Sequence, residues 1–175
     1  MPHCFLSILI LVWLGFISVT VDAAVRPNLL LITVDDMSAD SVGIFGSSVP
    51  DITPTIDKLA RDGLRFDLAH VQVANCMPSR NVMWSGRFPQ SNKVEGFYQV
   101  RDPVYPTLTD LAKKAGYFTA IRHKLKDSTP YYPYAWDMVL DDLSGGVKLS
   151  TKDPESYGLS TTQGIRSAKS AGKPF

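Results

Sequence analysis

Cys76-Met77-Pro78-Ser79-Arg80-Asn81-Val82-Met83-Trp84-Ser85-Gly86-Arg87 is the stretch around which the rest of the sequence arranges itself. Pro78 fits the first turn of a helix, where its missing N–H leaves no hydrogen bond unmade. Gly86 suits the position just past a last turn. The spacing therefore predicts a helix that opens at Cys76 and runs through Val82, Met83 and Trp84. A thiol at that end meets the positive pole of the helix, and Arg80 follows one turn later; both favour thiolate. A cysteine nucleophile also needs a positioned His base. His70 and His123 are the histidines beyond the first few residues, and an isolated His is more often structural than catalytic.

Upstream, Asn28-Leu29-Leu30-Leu31-Ile32-Thr33-Val34 is an apolar run that ends in Asp35-Asp36. A strand without polar alternation is one buried on both faces, at the centre of a parallel sheet. Ligands of open α/β sheets gather at the carboxyl ends of such strands, so the two carboxylates are a candidate cation site. Residues 37–54 are rich in Gly, Ser, Asp and Pro and read as irregular surface. Thr53-Pro54 starts a helix with Ile56, Leu59 and Ala60 on one face, ended by Gly63. Residues 65–73 read as a second strand that delivers the chain to Asn75-Cys76.

Downstream, Gly and Pro punctuate the segment to Pro106, with Phe97, Tyr98 and Tyr105 as a candidate pocket wall. Thr107 is set to cap a helix over 108–115, with Leu108, Leu111 and Ala112 inward and Gly116 closing it. Residues 117–121 form a short strand in this reading. The charged run 122–127 and a Pro- and Tyr-rich stretch follow, and 160–171 is helical in pattern. At Lys173-Pro174-Phe175 a new apolar strand is expected to begin. The order of elements predicts an α/β fold with a mainly parallel sheet flanked by helices.

The 175 residues allow one domain with a sizeable core. A formal net charge of +1 with 20% charged residues argues against nucleic acid as the main partner. Residues 5–19 form an apolar run, short for a membrane span and suited to an export signal, with cleavage after Ala23. An uncleaved anchor is the alternative, because the run is preceded by neither Lys nor Arg. Domain boundaries follow as a signal over 1–23 and a single domain over 24–175. Export leaves Cys76 without Cys4 as a companion, and a lone Cys in an exported protein calls for special chemistry or an intermolecular bond.

The 76–87 stretch resembles the signature of the type I sulfatases, Cys-x-Pro-Ser-Arg with Ser-Gly or Thr-Gly closing the helix. Arg26-Pro27-Asn28 into Thr33-Val34-Asp35-Asp36 resembles that family's first strand and metal loop, and Thr53-Pro54-Thr55-Ile56-Asp57-Lys58-Leu59-Ala60 the helix after it. Pro106-Thr107-Leu108-Thr109-Asp110-Leu111 and Ala115-Gly116-Tyr117-Phe118-Thr119 resemble the approach to its active-site Lys. The likeness implies the alkaline-phosphatase-like α/β fold and hydrolysis of sulfate esters or sulfamates on sulfated glycans. It implies that Cys76 is oxidised to formylglycine by a formylglycine-generating or sulfatase-maturating enzyme. The hydrated aldehyde would attack sulfur, and sulfate would leave as the aldehyde re-forms. Asp35, Asp36 and the modified Cys76 match ligands of a divalent cation, Ca²⁺ in this family, while Arg80 holds the nucleophile and Lys124 binds sulfate.

The match has departures. The family places Gly before that Lys and a His two or three residues after it; here His123 precedes Lys124, and Lys126 or Asp127 stands at the His position. A carboxylate beside the sulfate would repel it unless protonated or turned away. The family's later metal ligands and second Lys have no counterpart here, so the expectation is the N-terminal part of a longer sulfatase, inactive alone. Residues 128–137, with Lys152-Asp153-Pro154 and Gly172-Lys173-Pro174-Phe175, resemble bacterial heparan N-sulfatase-type proteins. The competing readings are a non-catalytic exported remnant and a phosphonate or phosphodiester hydrolase.

Overall fold

The computed structural model describes residues 26–143, 147–148, 150 and 152–175. The expected export signal over 1–23 lies outside the described residues, among which no helix is long and apolar enough to cross a membrane.

After two 3-10 turns, Ala39–Ser41 and Gly43–Phe45, helix α1 spans Pro54–Asp62 and ends at Gly63. Thr53 does not cap α1 with its side chain. Its Oγ1 instead accepts from the Gly43 N–H at 2.8 Å and donates to Asp57 at 3.0 Å, and Asp57 accepts from the Ile44 N–H at 2.9 Å. These bonds staple α1 to the 3-10 turns. Ile56 and Leu59 on its apolar face remain exposed.

The centre of the molecule is α2, Cys76–Ser85, closed by Gly86 at φ 64°, whose N–H reaches the Val82 carbonyl. It buries Met77, Pro78, Arg80 and Asn81 and packs against α3 (Pro89–Asn92), α4 (Leu108–Lys114) and the short α5 (Leu125–Ser128). Trp84 stands edge-on to Trp136 with ring centroids 5.2 Å apart. Tyr105 is buried and donates to the Asn92 carbonyl at 2.6 Å, whereas Phe97 and Tyr98 are exposed; the three do not wall a common pocket.

Helix α4 has the expected cap. Thr107 and Asp110 form a reciprocal capping box, and Tyr131 donates to Asp110 at 2.8 Å. This network turns Thr107 and Thr109 inward, so Leu108 and Leu111 face out, opposite to the sequence expectation. Burial and the neighbouring Asp110 carboxylate push the Tyr131 phenol up to about 12 from the usual 10.0. The folded state therefore keeps a proton that the unfolded chain has released. Stability from the neutral phenol is complete below pH 10.0 and is lost as pH rises through about 12. Urea denaturation of Tyr131→Phe is expected to show a shallower loss of stability over that alkaline range than the parent.

Strand β1 (Ala120–Ile121) pairs in parallel with β2 (Met138–Val139), Ala120 opposite Met138 and Ile121 opposite Val139. β3 (Asp142–Leu143) and β4 (Val147–Lys148) form an antiparallel pair. Helix α6, Pro154–Ser170, starts earlier than its apolar pattern implies because Asp153 caps it, accepting from Glu155 and Ser156 N–H groups. It lies across the parallel pair at Gly164, where an added Cβ would stand 3.1 Å from Leu140 and 3.7 Å from the Ala120 Cβ. Ala168 is fully buried.

Two expected strands are not formed. Residues 28–34 form no strand, and Leu29 to Ile32 are each more than half exposed. Among the described residues their one backbone partner is Phe175, whose carbonyl accepts from Leu29 N–H at 2.5 Å. Pro174 in turn accepts from Phe118 N–H at 2.7 Å, so 174–175 lie between residues 28–29 and 118. An apolar run becomes a central strand only with neighbours along both edges. Residues 65–73 are interrupted by a turn at 67–68 and a local Arg65–Asp67 ion pair at 2.6 Å, and Phe66, Leu68 and Val71 are exposed. The α/β character stands, with parallel pairing among the described residues confined to β1 and β2.

Candidate active site

Helix α2 brings one end of its first two turns to the end of the 28–34 segment. Arg80, only 8% exposed, carries the junction. Its Nη1 donates to Thr33 Oγ1 at 2.9 Å and its Nη2 reaches Asp35 Oδ1 at 3.4 Å. The second carboxylate oxygen, Oδ2, is taken by Lys124 Nζ at 2.7 Å. Lys124 also pairs with Asp127 Oδ2 at 3.2 Å. Segments distant in sequence thus converge on one carboxylate. The Lys124 hydrogen bond holds the Asp35 carboxyl below its ordinary range against the opposing pull of desolvation, with Arg80 adding to it. The same bond, with help from Asp127, raises the Lys124 ammonium above its usual value.

Asn81 docks α5 onto α2. Its Nδ2 donates to the Met77 carbonyl and to the Asp127 carbonyl, each at 2.9 Å. Its Oδ1 is buried without a partner. The Lys124 backbone is unusual: His123 at φ 62° and Lys124 at φ 53° are consecutive left-handed residues. For residues bearing a Cβ this conformation costs roughly 1–2 kcal/mol each. The departure from Gly noted at position 123 therefore has a structural meaning, since His occupies a conformation that glycine adopts freely.

Cys76 is the first residue of α2, a half-buried free thiol. On a helix, positions four apart share a face, which places Cys76 on the side that Arg80 presents. Asp36, at φ 51°, is exposed and makes no hydrogen bond or ion pair with the described residues. His70 is exposed, and no hydrogen bond joins it to Cys76, which removes the geometric support for a Cys–His dyad. Of the residues named from sequence, the structure brings Arg80 and Lys124 into direct contact with Asp35 and sets Cys76 on the helix that carries Arg80. Asp127 joins them by turning its carboxylate onto Lys124, and neither Lys126 nor His123 contributes a side chain. Thr33 and Asn81 lie within the same motifs, and their roles depend on contacts made across the fold.

Among the described residues no group of three or more His, Cys, Asp or Glu is placed to hold a metal ion. Calcium takes about six to eight oxygen ligands. Asp35 and Asp36 offer two carboxylates, and both oxygens of Asp35 face Arg80 and Lys124. The donors present here do not by themselves fit a divalent cation.

Residues 27–133 match the family described as Sulfatase. Arylsulfatase A of Bos taurus is 36% identical over 94 residues, which cover 54% of this chain and 16% of that protein. Arylsulfatase K of Gallus gallus is 35% identical over 130 residues, 74% of this chain and 22% of that protein. N-acetylgalactosamine-6-sulfatase of Homo sapiens is 33% identical over 111 residues, 54% of this chain and 20% of that protein. The chain thus spans about a fifth of the length of these curated relatives. The matched region contains Asp35, Asp36, Cys76, Arg80 and Lys124, and its extent settles the assignment: the chain belongs to the sulfatase family.

Proposed function

We propose that this chain supplies the nucleophile end of a hydrolase acting on sulfate esters or sulfamates of sulfated glycans, with Cys76 converted to formylglycine. The observation that carries the reading is the convergence of Arg80 and Lys124 on Asp35, beside the helix that begins with Cys76. A sulfate group is an anion, and two fixed cations next to a nucleophile stabilise the charge that develops as it is attacked. Once formed, the aldehyde hydrate supplies an oxygen nucleophile toward sulfur. Arg80 is the better fixed of the cations: its planar fork is buried and tied to Thr33, so it stays put as charge shifts. Lys124 is the more adaptable one, on a flexible stem held by two carboxylates that an incoming anion must outcompete.

The names of the human N-acetylgalactosamine-6-sulfatase and the mouse Iduronate 2-sulfatase, 32% identical over 118 residues, point to a sulfated sugar as substrate. Calcium belongs to the family resemblance, with Asp35 and Asp36 as its partial donor set. The apolar run 5–19 supports export, where a maturing enzyme would act on the chain.

The test is the mass of the tryptic peptide containing Cys76, taken after co-expression with a formylglycine-generating or sulfatase-maturating enzyme. The expected result is loss of the thiol and gain of an aldehyde that reacts with a hydrazide probe. A peptide that keeps its thiol quantitatively would overturn the catalytic reading and favour a non-catalytic sulfatase relative.

A further inference from the structure

We infer that Asp141 is a positioning residue for Lys124: it holds the left-handed kink at His123 that turns the Lys124 ammonium onto Asp35. The inference rests on the reading of Lys124 as the anion-binding group. Its own support is geometric. Asp141 Oδ1 accepts from the His123 backbone N–H at 2.7 Å and from Arg122 Nη1 at 3.1 Å. Arg122 is itself fixed. Its Nη2 donates to the Ser150 carbonyl at 3.1 Å, and its guanidinium lies over the Tyr157 ring of α6, 4.8 Å from the centroid.

The chain therefore leaves β1 at Ile121 with Arg122 clamped against α6, and the next amide is captured by the carboxylate that Arg122 holds. With that amide fixed, His123 and Lys124 take left-handed dihedrals in succession, reversing the chain into α5. The reversal aims Lys124 at Asp35, some ninety positions earlier in sequence. Without the Asp141 acceptor, two adjacent residues with Cβ atoms would be free to relax toward right-handed or extended dihedrals. Lys124 would then swing off the 28–35 segment. The β1–β2 pair and the Lys113–Asp137 bridge at 3.0 Å do not depend on this kink.

Zero-length coupling with a water-soluble carbodiimide tests the inference on the full chain. The reagent activates a carboxylate, a touching amine displaces it to form an amide, and the reagent leaves as its urea, having taken up the water. Mass mapping then reads the Lys124–Asp35 product against the Lys113–Asp137 product as a control for the fold. In Asp141→Ala the Lys124–Asp35 yield is expected to fall about tenfold, the scale of losing a charged hydrogen bond, with the control unchanged. Adding His123→Gly should restore the yield to within about twofold, because glycine takes the left-handed conformation unaided. Asp141→Asn keeps an acceptor for the His123 N–H and should couple as the parent does.

A parental yield in Asp141→Ala, or no rescue by His123→Gly while the control product persists, would overturn the role of Asp141 alone. Where Asp141→Ala also loses the control product, Asp141→Asn decides: a lost Lys124–Asp35 product beside an intact control sinks the inference. No Lys124–Asp35 product in the parent would overturn the site geometry itself, and the inference with it.

Discussion

Replacing Arg80 by Ala is expected to lower the stability of the chain by about 2 kcal/mol, the range for hydrogen bonds to charged groups. For a chain of this size that corresponds to a melting point lower by roughly 4–8 °C. Arg80 is the buried side chain through which α2 grips the 28–35 segment, at Thr33 and Asp35. Asp35 is partly exposed, and solvent screening keeps the figure from reaching that of a fully buried pair. The local effect should exceed the global one. Among the described residues the run 28–34 has its backbone attachment at Leu29, so without Arg80 its distal end keeps only the Lys124–Asp35 ion pair. Proteolytic cleavage within residues 28–35 should accelerate by more than the change in global stability accounts for. Arg80→Lys should recover less than half of the loss, since an ammonium cannot reach Thr33 and Asp35 with one planar fork. A thermal melt of Arg80→Ala that overlays the parent would show that 28–35 is held by something else, and that the buried guanidinium is not the organiser of the site.

How far the sequence disclosed this arrangement depends on whether the information was local. Helix α2 was legible in full, because Pro78 and Gly86 punctuate it and its neighbours need not be known. The cap at Thr107 was legible for the same reason, and so was the end of α1 at Gly63. The strand expectations for 28–34 and 65–73 failed because a strand is a statement about partners. Hydrophobicity shows that a run seeks cover, while a ladder requires a second segment at the right register. The same limit applied to side-chain direction on α4. Periodicity placed Leu108 and Leu111 inward, but the hydrogen bonds of Thr107, Asp110 and Tyr131 fixed the opposite face, and Tyr131 lies twenty-one positions from Asp110. In the site, the place of Asp35 after the apolar run pointed to it, while Arg80 and Lys124 came from the resemblance to the sulfatase signature. Nothing local announced Asp141, whose carboxylate matters only because the parallel pair carries it to the His123 amide. The carboxylate at Asp127 was legible as an oddity; its turn onto Lys124 was visible only once α5 was seen docked on Asn81.

Asp110→Ala is expected to give the largest loss of stability of any single change here, about 3 kcal/mol near neutral pH. One carboxylate serves three donors: the Thr107 N–H at 2.7 Å, the Thr107 hydroxyl at 2.8 Å and the Tyr131 hydroxyl at 2.8 Å. Loss of an N-terminal cap alone costs about 1 kcal/mol, and each buried donor left unpaired adds about 1–3 kcal/mol, with the sum reduced because the three share one anchor. Thr107 is almost wholly buried, so water cannot readily replace the lost acceptor. The effect should also carry a pH signature. Burial alone would raise the Asp110 carboxyl, but the hydrogen bonds from Thr107 and Tyr131, with the charge of Lys113, outweigh it and hold the group below its ordinary 3.8. Between the folded value and 3.8 the unfolded chain binds the proton and the folded chain does not, so stability rises with pH. The contribution is complete above 3.8 and drains away as pH falls through the lower folded value. The gap between parent and Asp110→Ala in urea denaturation should therefore be wide at about pH 6 and narrow steadily in acid, once the carboxylate takes up its proton. Asp110→Asn should fall between the two and vary little with pH, because a neutral amide keeps one acceptor oxygen and has no charge to lose. A gap that stays constant from neutrality into acid would mean that the capping box draws nothing from the ionised carboxylate, and that α4 is held by packing alone.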